Sequence, residues 1–178
     1  QMAFIGAPMI YYGDEAGMWS PDDPSNRQPM TWPEMKFDDP QVKFDPAQFA
    51  FYQRAIAARE KLAPLQLGFF HAIDMNDEKG VFAFERDLND QHAYVILNRS
   101  PVARTVRIHV LAKNGAKLVN WLDPRQAELV AAPSRDLNGR GTLSAKPQAG
   151  IVVDSGACSV TLDAYGSAML SRPQGKPE

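Results

Sequence analysis

The chain has 178 residues, 44% of them apolar and 22% charged, with a formal net charge of −2. That length allows one ordinary domain, or a small domain plus an appendage, and the composition is that of a globular protein. The near-neutral balance excludes the basic surface by which nucleic acid or an anionic membrane is held, so neither is expected as a partner.

The chain opens on Gln1 with an apolar run to Tyr12, too short to span a bilayer and without the basic flank of a signal peptide. A start of this kind reads as a cut from a longer protein. Residues 9–12, Met-Ile-Tyr-Tyr, are continuously apolar, the pattern of a parallel strand buried on both faces. Residues 2–5 read as the tail of a preceding helix. Residues 17–45 follow without periodicity and hold five prolines, a long loop of the functional kind. Asp45, Pro46 and Gln48 then supply an N-cap, a first-turn proline and a capping-box partner, and apolar residues recur at helical spacing until Pro64. The spacing predicts a helix over residues 46–62 and, with the strand before it, one βα unit.

From Gly68 the period shortens. Residues 69–73, 81–85, 93–98, 105–110, 117–120, 150–153, 159–162 and 167–170 read as short strands between turn clusters, which predicts an antiparallel sandwich. Residues 132–148 read mostly as loop, and the tail 172–178 as frayed. Phe69, Phe70 and Trp121 are expected in the core. Cys158 is the single cysteine, so no internal disulfide forms, and it reads as a small buried hydrophobe. His71, His92 and His109 are scattered without ligand spacing, and no metal or cofactor is expected.

Two stretches resemble a known family. Residues 6–18, GAPMIYYGDEAGM, are similar to the eighth barrel strand of the α-amylase superfamily and the loop after it, and residues 23–32, DPSNRQPMTW, to its nearby sugar-binding stretch. The helix carrying FYQRAIAAR at residues 51–59 resembles the family's eighth barrel helix. The combination resembles the maltogenic-amylase, neopullulanase and cyclomaltodextrinase branches most. The resemblance implies an α+β piece of a longer enzyme. Residues 1–67 would be the end of a (β/α)8 barrel, residues 68–171 a Greek-key-like C-terminal β-sandwich, and residues 172–178 a tail. It further implies a retaining glycosidase acting on starch-derived oligosaccharides or cyclodextrins, with an α-glucan as the partner of the full-length parent.

In such barrels the site lies on the βα loops, which places residues 14–45 on the catalytic face. Asp23 and Arg27 offer charge-assisted hydrogen bonds to hydroxyls, and Trp19 an aromatic platform for a sugar ring, with Trp32 a weaker one. Taken alone, Asp23 and Arg27 read as an ion pair that rigidifies the loop, and Trp19 reads equally as loop packing. The resemblance makes Asp23 and Arg27 contacts to sugars on the non-reducing side of the scissile bond. Asp14 and Glu15 are adjacent, so on an extended chain they point to opposite faces and do not flank one bond. Asp14 reads as a loop-former and Glu15 as a structural hydrogen-bonding carboxylate. The family's nucleophile, general acid and assisting aspartate all precede its eighth strand, so no catalytic residue is expected here and the chain alone is expected to be inactive. A lone barrel strand leaves open edges. It is expected to pack on the β-domain, to self-associate with another copy, or to be disordered. The alternative to an enzyme portion is a carbohydrate-binding or purely structural β-sandwich; Tyr94, Tyr165 and the strand phenylalanines are the aromatics available there, and none is an obvious sugar platform.

Overall fold

The computed structural model of the chain describes residues 1–40, 42–130, 142–146 and 150–173. Helix α1 spans Pro46–Lys61 and begins as its sequence predicts. The Asp45 carboxylate accepts hydrogen bonds from the Ala47 and Gln48 backbone N–H groups at 2.9 and 3.0 Å, and Pro46, lacking an N–H, takes the first position at no cost. The capping box does not close. Gln48 Nε2 donates instead to the Asp14 carbonyl at 2.7 Å, and Asp45 N donates to the Ala16 carbonyl at 2.9 Å. The helix start is thereby sewn to the loop before it. Leu62, in an extended conformation, breaks the helix, and a short second helix α2 (Ala63–Leu67) follows, with Pro64 in its first turn.

Strands β1 (Phe69–Asn76), β2 (Val81–Leu88), β3 (Gln91–Asn98), β4 (Arg104–His109) and β5 (Lys117–Asn120) come next. They are followed by β6 (Ala127–Val130), β7 (Thr142–Ala145), β8 (Ile151–Val152), β9 (Ala157–Leu162) and β10 (Ser167–Ser171). Six of them form a sheet in the order β1-β2-β3-β10-β5-β8, while β4 pairs with β9 and β6 with β7. Every pairing is antiparallel. The β6–β7 pair was not predicted. Of the segment read as loop, Thr142–Ala145 is strand, while residues 131–141 and 147–149 lie outside the described residues. Residues 174–178 of the predicted tail also lie outside them.

The central strands of the six-stranded sheet are buried on both faces. Phe84, Ala93, Val95 and Met169 turn towards α1 and α2, where Ala55, Ala58, Leu62, Leu65 and Trp121 meet them. Their neighbours Ala83, Tyr94, Ile96 and Leu170 turn the other way, onto Val106, Ile108, Val160 and Leu162 of the β4–β9 pair. Alternation along a strand sends successive side chains to opposite faces. A strand covered on both therefore reads as a continuous apolar run, as Ala93-Tyr94-Val95-Ile96 does. Trp121 is core, as expected, with its indole N–H donating to Ser171 Oγ at 2.8 Å. Of the phenylalanine pair only Phe70 packs on the core, half-buried with its ring tilted and its centroid 5.0 Å from that of Phe84, while Phe69 points to solvent. They are adjacent on β1 and take opposite faces of an edge strand.

Residues 9–12 are not a strand. They have no ladder partner among the described residues, and Met9 is 69% exposed. An apolar run becomes a buried strand only against neighbours, and none flank it here. Residues 2–5 likewise form turns rather than a helix end. What holds this segment is a pair of arginines. Arg86, fully buried, donates to the carbonyls of Ala3, Leu65, Gly68 and Phe69 at 2.8–3.3 Å. Arg59 donates to those of Met2, Phe4, Gly6 and Leu65 at 2.6–3.4 Å. Burial lowers both guanidinium pKa values, and for Arg86 the charge of Arg59 adds to the effect.

Candidate substrate-binding loop

Beyond residues 9–12 the chain makes a tight corner. Tyr12 and Gly13 take positive φ angles, Asp14–Ala16 form one 3-10 turn, and Gly17 at φ 77° closes it. A Cβ on Gly17 would lie 2.8 Å from the Cβ of the helix-capping Asp45, so the corner and the helix start need glycine there together. Asp14 Oδ2 accepts a hydrogen bond from Tyr11 N at 3.2 Å, as a loop-former should. Asp14 and Glu15 share a 3-10 turn and not an extended segment, which corrects the geometric ground on which they were set apart. Glu15 Oε2 is buried with no hydrogen-bond partner among the described residues, so its expected bonding role is not seen at that oxygen. The phenol of Tyr52 on α1 is pushed above its ordinary pKa, by burial first and then by the charges of Asp14 and Glu15.

Asp23 and Arg27 meet across a second 3-10 turn, Ser25–Arg27. Arg27 Nε lies 2.8 Å from Asp23 Oδ1 and Nη2 donates to Oδ2 at 3.1 Å, a two-pronged carboxylate–guanidinium pair. The side chains are 68% and 55% exposed for Arg27 and Asp23. At that exposure the pair adds little to stability, and both heads remain open to solvent and ligand. The turn is braced by Ser25 Oγ donating to the Asp22 carbonyl at 2.6 Å and by Asn26 N donating to the same oxygen at 3.0 Å. Gln28 Nε2 donates to the Trp19 carbonyl at 3.1 Å and fixes the backbone beneath the indole.

Trp19 is 79% exposed, so it is not loop packing. It borders a depression of about 180 Å³ together with Tyr11, Tyr12, Met18 and Asn26. The two tyrosines, which sequence reasoning had buried in a strand, are exposed with ring centroids 5.6 Å apart. Asp23 and Arg27 do not line this depression. The structure therefore gathers Trp19 with Tyr11 and Tyr12, and sets the ion pair apart on the adjoining turn. The signal that could have found the tyrosines is their place directly before Gly13, where a strand must end. Trp32 is half exposed beside a buried Thr31. No group of three metal-ligating side chains occurs among the described residues, and no helix there is long and apolar enough to cross a membrane.

No family model matches the chain. Neopullulanase 2 of Thermoactinomyces vulgaris is 33% identical over 156 residues, which is 88% of this chain and 24% of that protein. A cyclomaltodextrinase of Thermoanaerobacter pseudethanolicus is 36% identical over 100 residues, 56% of this chain and 16% of the relative. The chain thus spans about a quarter or less of the relatives it matches. Among solved structures, an Anoxybacillus α-amylase superposes with a TM-score of 0.67 at 19% identity, covering 99% of this chain and 31% of the other. A cyclomaltodextrinase superposes with a TM-score of 0.65 at 22% identity, covering 97% and 24%. The mostly-β fold is one found within these enzymes, and in sequence the chain is homologous to a part of the neopullulanases and cyclomaltodextrinases.

Proposed function

We propose that the chain is the C-terminal portion of a retaining glycoside hydrolase that acts on α-glucans such as maltooligosaccharides, cyclodextrins or pullulan. Residues 1–67 contribute the last βα unit of a (β/α)8 barrel and residues 68–171 a β-domain that supports it. The observation that carries this reading is the exposed aromatic cluster of Trp19, Tyr11 and Tyr12 beside the Asp23–Arg27 turn. Flat rings suit the C–H faces of sugars, and a fixed guanidinium–carboxylate fork suits vicinal hydroxyls. Retaining hydrolysis needs a carboxylate nucleophile and a carboxylic acid about 5–5.5 Å apart across the scissile bond. Neither is assigned to this chain. Its part is to hold the glucan so that the reacting ring meets carboxylates supplied upstream, using binding energy at distant rings to orient the one that reacts. The exposed face of residues 9–12 is covered by neighbouring barrel strands in the parent, and in the isolated chain it promotes self-association. The β-domain carries structural support, for which the two-sided core and the arginine clamp speak.

The test belongs in the longer enzyme. Asp23→Ala and Arg27→Ala each remove a charge-assisted bond worth about 1.5–3 kcal/mol, or roughly ten- to hundred-fold in kcat/KM. Measured over a ladder of maltooligosaccharides, the loss should grow with chain length. Equal losses at every length, with a lowered melting temperature, would reduce the pair to a loop brace.

A further inference from the structure

The start of α1 has the residues of a capping box, yet the box stays open. In a closed box the side chain at the third helical position bonds the backbone N–H of the N-cap residue. Here that N–H, of Asp45, donates to the Ala16 carbonyl at 2.9 Å. Gln48, the third helical residue, sends its Nε2 to the Asp14 carbonyl instead, at 2.7 Å and 34 residues away in the chain. The cap does not need it, because the Asp45 carboxylate already accepts from the Ala47 and Gln48 N–H groups. The glutamine therefore serves the loop and not the helix.

The two bonds from the helix start grip opposite ends of the 3-10 turn Asp14–Ala16. The Ala16 end is held backbone to backbone. At the Asp14 end the carbonyl also takes the Gly17 N–H, at a longer 3.2 Å. Asp14 in turn fixes Tyr11. Its N–H donates to the Tyr11 carbonyl at 3.0 Å, and its Oδ2 accepts from the Tyr11 N–H at 3.2 Å. Any shift of the Asp14 end thus carries Tyr11 with it. Trp19, which borders the same depression, is anchored from elsewhere, by Gln28. Rings that hold one sugar must keep their spacing, since a gap of about 0.5–1 Å forfeits roughly a quarter to a half of a dispersion contact.

We propose that Gln48 is a positioning residue for the sugar platform: acting from α1 through the Asp14 backbone, it sets where Tyr11 stands relative to Trp19. Gln48 does not itself line the depression. The inference rests on the α-glucan reading above.

The test is made in the longer enzyme, with maltooligosaccharides of increasing length. Gln48→Met keeps the length of the side chain and loses the donor. Gln48→Glu also loses it, yet a carboxylate at the third helical position suits a helix start, so α1 is not weakened. Gln48 is exposed, and an exposed hydrogen bond adds little to stability, so both variants should melt within about 2 °C of the wild type. Both should lose about fivefold in kcat/KM on the longest substrates and less than about twofold on the shortest. The decisive arm pairs Gln48→Met with Tyr11→Ala. If Gln48 acts through Tyr11, its loss disappears once that ring is gone, and the double variant matches Tyr11→Ala within about 1.5-fold. Paired with Asp23→Ala, whose side chain lies outside the depression, the two losses should multiply. Losses that multiply with Tyr11→Ala, or no loss in either Gln48 variant, would overturn the positioning role and leave the α-glucan reading standing. So would equal losses at every length with a lowered melting temperature, the mark of a loop staple alone. An unchanged kcat/KM in Tyr11→Ala at every length would remove Tyr11 from the platform and this inference with it. The Asp23 and Arg27 ladder would then decide the α-glucan reading separately.

Discussion

Cys158 lies on β9 in the core between the sheet and the β4–β9 pair. Burial pushes its thiol up to about 11, partly offset by the charge of Arg107. The thiolate is the reactive form, and at about pH 8 such a thiol is ionised to only about one part in a thousand. Native protein should therefore resist a thiol-specific disulfide reagent for hours, while protein unfolded in guanidinium should be labelled within minutes. Rapid labelling of the native chain would place Cys158 outside the core. Tyr94, on the same side of the sheet, shows the same physics. Its phenol is raised by burial, although the Leu111 N–H donates to it at 2.7 Å and pulls the other way.

Two elements of different kinds, the coil at residues 2–6 and the junction of α2 with β1, are joined by Arg59 and Arg86 through backbone carbonyls alone. Helix ends and strand entries leave carbonyls without partners, and a buried carbonyl left unsatisfied costs about 1–3 kcal/mol. Arg86→Met removes the arginine donor from the carbonyls of Ala3, Gly68 and Phe69, while Leu65 keeps its bond from Arg59. It should lower the unfolding free energy by about 3 kcal/mol or more, read from the denaturant midpoint. Arg86→Lys should not restore it, because a compact ammonium cannot reach carbonyls arrayed around a planar fork. A loss below about 1 kcal/mol in Arg86→Met would mean that water replaces the guanidinium there. Neither arginine stood out in the sequence, since their partners are backbone groups and backbone groups have no sequence signature.

At the scale of the whole molecule, the chain as it stands should show no turnover of cyclodextrins, pullulan or maltooligosaccharides above background. Its far-UV spectrum should be dominated by β-structure, as the ten strands among the described residues require. Turnover that survives purification and vanishes in Glu15→Gln would make Glu15 catalytic and overturn the assignment of catalysis to upstream residues. What the sequence alone determined is local. The Asp45-Pro46 start of α1 was legible because capping and first-turn chemistry act within four residues. So were eight of the strands, because alternation and turn residues are also short-range signals. The β6–β7 pair was not, because its strands are short and pair across an intervening segment. The tertiary structure decided what each apolar run meets. Residues 9–12 and 93–96 carry the same continuous pattern, yet the first is exposed and the second is packed on both faces. Burial is a property of the partners a segment finds, and no residue encodes its partner by itself. For the same reason the aromatic cluster of Trp19, Tyr11 and Tyr12 became visible only once the chain was folded.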